Sequence, residues 1–62
     1  MNIATRDEID ISFRLLVEAR NETEEMILYY KFEGMIEGLY CADVLSIEEY
    51  NFLLHAAWKV YF

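Results

Sequence analysis

Three kinds of residue in this chain could do chemistry: one histidine, one cysteine and two groups of glutamates. His55 is the only side chain that titrates near neutrality unaided. A histidine acting as a general base needs a nucleophile within reach and a carboxylate to orient it. Cys41 is the only thiol, and the sequence places it at the end of a helix beside a loop, away from His55. Glu48 precedes His55 by seven residues, on the same stripe of a helix but about two turns off. Asn51, His55 and Lys59 recur every four residues, which makes a solvent-facing stripe and an exposed His55. One His and one Cys also fall short of a zinc site, which takes four such ligands at defined spacings. Calcium loops with alternating acids around a central glycine are absent.

The glutamates fall into Glu22, Glu24 and Glu25, and the pair Glu33 and Glu37 four residues apart. Glycoside hydrolysis would need two carboxylates across a cleft of fixed width, and so short a chain has no loops to build one. A row of acids on a helix is ordinarily a solvated face that keeps a small protein soluble. Its functional use would be as a docking face for a basic protein surface, with Glu22, Glu24, Glu25, Glu33 and Glu37 as the partner-binding residues. No catalytic residue, metal, cofactor or small-molecule substrate is expected, and the chain reads as no enzyme.

Charge placement narrows the partner. Net charge is −7; residues 1–20 carry three arginines against four acids, and residues 21–50 carry eight acids against Lys31 alone. Nucleic acid is disfavoured, because binding it requires Lys and Arg to displace counterions from phosphates. No apolar run approaches the roughly 18 residues of a membrane helix, so Gly34-x-x-x-Gly38 is no membrane dimer motif and no membrane is expected. The opening residues reach charge too soon for a signal peptide, so a cytoplasmic location is expected.

The elements that position these residues read as helices throughout. There is no proline and there are only two glycines, so little punctuates the chain. Thr5-Arg6-Asp7-Glu8 has the form of a capping box and predicts a first helix starting there. Ile9, Phe13, Leu16 and Val17 share one face of it, widened by Ile11 and Leu15. At about 100° per residue the apolar directions of Ile9/Phe13/Leu16 and of Leu28/Phe32/Met35/Leu39 differ by roughly 110°. That favours a break or bend near residues 21–24, where Asn21 and Glu24 could form another cap, over a single helix running from Thr5 to about Ala42. A second helix is expected over Glu22 to Ala42, with Leu28, Phe32, Met35, Leu39 and Ala42 on its core line and Tyr29, Ile36 and Tyr40 beside it. Gly34 and Gly38, one turn apart, suggest a helix-crossing point where Trp58 or Phe52 packs close. Asp43-Val44-Leu45 is then a tight link to a third helix folding back as an antiparallel hairpin.

That third helix opens on Ser46-Ile47-Glu48-Glu49, another capping box. Beyond it almost everything is apolar, around far more of the circumference than a surface helix carries. A chain of this length buries only about 60% of its surface, and its single cysteine excludes an internal disulfide. Ten aromatic rings in 62 residues exceed what one small core can hide, and Tyr and Trp are enriched at interface hot spots. The expectation is one all-α domain over residues 1–62, three helices per chain, assembled as a homodimeric bundle. Tyr50, Phe52, Leu53, Leu54, Ala57, Trp58, Tyr61 and Phe62 form its predicted dimer interface.

The stretch GMIEGLYCADVLSIEEYNFLLHAAW, with the chain's length, resembles the small early open-reading-frame proteins of lambda-like phages encoded between the exonuclease and excisionase genes. The resemblance covers the whole chain by length and pattern and includes no diagnostic motif. It implies a helical, dimer-forming, non-enzymatic early protein in the host bacterial cytoplasm. It further implies action on a bacterial host protein, influencing the host cell cycle or the choice between lysogeny and prophage induction. Two other readings stand beside it. One is an acidic nucleic-acid mimic of the anti-CRISPR or anti-restriction type, which requires the five glutamates to form a continuous strip. The other is a helix-turn-helix-like DNA-binding dimer using Arg6, Arg14 and Arg20, weakened by the four acids interleaved with them.

Overall fold

The computed structural model describes residues 2–62, and all of its regular structure is helical: α1 (Ile3–Val17), α2 (Glu22–Cys41) and α3 (Ile47–Tyr61). Each helix starts on a side-chain cap. The Asn2 side-chain oxygen accepts the Thr5 N–H at 2.8 Å, and that of Asn21 accepts the Glu24 N–H at 2.9 Å. At α3 both halves of the capping box are made: the Glu49 N–H donates to Ser46 Oγ at 3.1 Å, and the Ser46 N–H donates to Glu49 Oε1 at 2.9 Å. The predicted box at Thr5 is thereby corrected. Asparagine caps at least as well as threonine, and starting at Ile3 adds most of a turn. The expected break falls at residues 18–21, with Asn21 as the cap that restarts the chain.

The link from α2 to α3 is built by the end of α2. Asp43 sits in the left-handed region at φ 61°, its N–H donates to the Tyr40 carbonyl at 3.1 Å, and the Val44 N–H donates to the Leu39 carbonyl at 2.9 Å. This is the Schellman pattern, which satisfies carbonyls that a helix end otherwise leaves open. It turns the chain inward so that Leu45, read as linker from the sequence, is buried at 3% exposure.

Among the described residues the core holds seven buried ones: Ile9 and Leu16 from α1, Tyr29, Phe32 and Ile36 from α2, Leu45, and Ala57 from α3. Phe13, Leu28, Met35, Leu39, Leu53, Leu54 and Val60 pack half-buried around it. Three expectations shift here. The fully buried line of α2 runs through Tyr29, Phe32 and Ile36 rather than Leu28, Met35 and Leu39, because α2 is wedged between both other helices and its core direction bisects them. Ala42 is exposed as the helix cap. Val17, at the last position of α1, is 52% exposed and outside the core. Ile11 and Leu15 are also more than half exposed, on the outer side of α1.

Aromatic rings join α2 to α3 near both ends. Tyr29 stacks on Tyr61 with centroids 4.8 Å apart, and Tyr40 stacks on Tyr50 at 5.0 Å. Between α1 and α2, Phe13 meets Phe32 edge-on at 5.7 Å, and Ser12 Oγ lies 3.6 Å from Met35 Sδ.

Candidate interaction surface

The residues that could have formed a catalytic pair are apart and open to solvent. Cys41 is exposed at the last position of α2, whereas His55 lies in the middle of α3, exposed and stacked on Trp58 with centroids 6.3 Å apart. Among the described residues no three His, Cys, Asp or Glu side chains gather as metal ligands would, and no helix is long and apolar enough to cross a membrane.

The predicted dimer set separates into two groups. Ala57 is removed from it, because its side chain is closed inside the chain's own core at 0% exposure. Tyr50, Leu53, Leu54 and Tyr61 are half-buried and spend most of their surface against the core. Phe52, Trp58 and Phe62 stay open, at 72%, 49% and 74% exposure, and Ile47 joins them at 49%. A helical wheel at about 100° per residue puts the open residues on one side of α3. Glu48, His55 and Lys59 run down its centre, Phe62 lies beside them, Phe52 marks one edge, and Ile47 and Trp58 mark the other.

The Gly34/Gly38 crossing is overturned. Both glycines are exposed, a Cβ at either would meet nothing within 4 Å, and neither Trp58 nor Phe52 approaches them. Helix geometry gives the reason: Gly34 is two positions from both Phe32 and Ile36, about 200° round the helix and so on its outer side.

The five glutamates do not share a strip. Glu24 and Glu33 are nine positions apart, about 180° round the helix. Glu22 and Glu25 border a groove of about 420 Å³ lined also by Thr23, Met26, Tyr61 and Phe62. Glu33 and Glu37 lie along the seam with α3, where their charges act on its tyrosines. Tyr29 is pushed above the ordinary phenol value of 10.0 by burial first and by the charge of Glu33 second. Tyr50 moves the same way, by loss of hydration and then by the charges of Glu37 and Glu33.

Two features went unread in the sequence. One is a groove of about 380 Å³ between α1 and α3, with Ile9, Phe52 and Leu53 as apolar walls and Arg6, Asp10, Glu48 and Glu49 on its rim. The other is an aromatic run across both long helices. Trp58 meets Phe62 at 5.2 Å, Phe62 meets Tyr61 at 4.5 Å and Tyr29 at 6.2 Å, and Tyr29 meets Tyr30 at 5.4 Å. Spacing within α3 hinted at half of this run; the joining of Tyr29 and Tyr30 to it depends on how α2 and α3 align. Compared with known proteins, the chain matches no family model, no curated protein and no solved structure.

Proposed function

We propose that this chain is a non-enzymatic protein-binding module that works as a homodimer and acts on a bacterial host protein, in the manner of a small phage early regulatory factor. The observation that carries the binding role is the aromatic run, in which Tyr30, Trp58 and Phe62 stand 58%, 49% and 74% exposed. Rings of this kind bury large area at small entropic loss and dominate interface energies. Monomeric proteins seldom leave such contiguous apolar surface uncovered. An antiparallel α2–α3 hairpin belongs to this reading, supported by the stacked pairs Tyr29/Tyr61 and Tyr40/Tyr50. The open side of α3 joins two copies, and the acidic seam of α2 with Glu33 and Glu37 meets a basic surface of the host protein.

The nucleic-acid mimic is the weaker account, since Glu24 points away from Glu33 and Glu37 and the required strip is broken. Expression in a host bacterium tests the proposal. The wild-type chain should slow division or shift prophage induction, and Glu33→Lys/Glu37→Lys should abolish the effect while leaving helix content and dimerisation intact. No phenotype from the wild-type chain would overturn the host-factor role.

A further inference from the structure

The open side of α3 carries a charge pattern that specifies how a second copy lies against it. Glu48 and Lys59 are both exposed and lie within about 20° of one another on the helical wheel. They are eleven residues apart, which is about 16 Å along the helix. They therefore mark the two ends of one outward stripe with opposite charge. His55 lies between them, and the apolar Phe52, Phe62, Trp58 and Ile47 flank it. A parallel pairing about a two-fold axis would set Glu48 on the second copy's Glu48 and Lys59 on its Lys59. An antiparallel pairing sets each glutamate on the other copy's lysine, twice per dimer.

We infer that two copies of the chain associate through antiparallel α3 helices, in the register that places Glu48 of each opposite Lys59 of the other. This rests on the homodimer proposed above and fixes its geometry. The register puts the two-fold axis level with Leu53 and Leu54, and the apolar residues agree with it. A two-fold interface is self-complementary, and about this axis each edge of α3 meets the same edge of its copy. Phe52 and the second copy's Phe52 then face one another with an axial offset of about three residues, or 4–5 Å, within ring contact. On the other edge Trp58 falls level with the second copy's Glu49, between its Ile47 and Asn51, so the indole covers Ile47. The large exposed side chains at both edges of α3 are thereby covered. The groove walled by Ile9, Phe52 and Leu53 is closed from the Phe52 side.

Sedimentation of charge-reversed variants at low salt tests the register. Glu48→Lys creates two like-charge contacts per dimer, and so does Lys59→Glu; each alone should weaken dimerisation by about tenfold. A mixture of the two variants should form heterodimers, because the first then presents two lysines to the two glutamates of the second. The double variant Glu48→Lys/Lys59→Glu should dimerise like the wild type. Both positions are exposed and neither side chain makes a bond of the Ser46–Glu49 cap. They lie in the first and last turns of α3, so reversal also opposes the helix dipole, and circular dichroism of each variant verifies that the helices remain. Single variants that dimerise as well as the wild type, or a mixture with no preference for the mixed pair, would overturn the register and leave the homodimer standing. A wild-type chain that stays monomeric at high concentration would overturn the homodimer itself.

Discussion

Ser46 and Glu49 show how much two side chains can decide. Each satisfies a backbone N–H of the other at the start of α3, a helix whose position sets the whole open surface. These bonds favour the ionised carboxylate. The Ser46 backbone N–H is the larger cause and its hydroxyl the second, and together they hold Glu49 below the ordinary carboxylate value of 4.5. The folded form is therefore favoured by ionisation. That contribution is present above the ordinary value and is lost as pH falls through the lowered one. Glu49→Gln should remove this part of the acid dependence. Denaturant titrations of both proteins from neutral to strongly acidic pH should converge at the acid end, and parallel profiles would rule the linkage out. Ser46→Ala should cost about 1 kcal/mol at neutral pH, read in the same titrations. Asp43 makes the complementary point. The sequence contains no glycine where the chain must turn left-handed, so the turn that buries Leu45 was hidden behind an ordinary polar residue.

At the scale of elements, what was legible followed from periodicity and caps. Three helices, the cap at Asn21 and the box at Ser46 all rest on interactions within a few residues, which a sequence displays directly. What was not legible depended on how three helices share one small core. The apolar residues of α2 spread round a broad arc, and only the positions of α1 and α3 select Tyr29, Phe32 and Ile36 as the buried line. The same selection turned Gly34 and Gly38 outward and closed Ala57 inside, against the reading of both from spacing alone. Outward glycines make a testable statement. They contribute backbone entropy to the unfolded chain, and a methyl group meets nothing within 4 Å at either site. Gly34→Ala and Gly38→Ala should each stabilise the fold by about 0.4–1 kcal/mol, raising the thermal midpoint by a few degrees. A loss of stability at either site would mean that another surface packs on that side of α2.

The whole molecule is short of interior. Its Cα envelope is only 14 Å in the thinnest direction, and seven side chains are buried among the described residues. Its accessible surface is 4573 Å², against about 4200 Å² expected for a monomer of its mass. Phe52, Phe62, Tyr30 and Trp58 are among the large apolar side chains that stand open on it. Stability should then depend on protein concentration, because association favours the folded state by mass action. The thermal midpoint of the wild-type chain should rise by roughly a few degrees for each tenfold increase in concentration above the dissociation constant. Phe52→Ser and Trp58→Ser remove side chains from the open surface and spare the seven core residues. Their midpoints should be independent of concentration, with Phe52→Ser near the dilute limit of the wild type and Trp58→Ser below it, since Trp58 also packs on His55 and Phe62 of its own chain. Phe32→Ala instead hollows the interior and should cost about 3–5 kcal/mol at every concentration. Calorimetry of the four proteins across the micromolar range separates the two kinds of stabilisation. A wild-type midpoint that does not move with concentration would mean that the seven-residue core suffices, and that the aromatic run is kept open for a different protein.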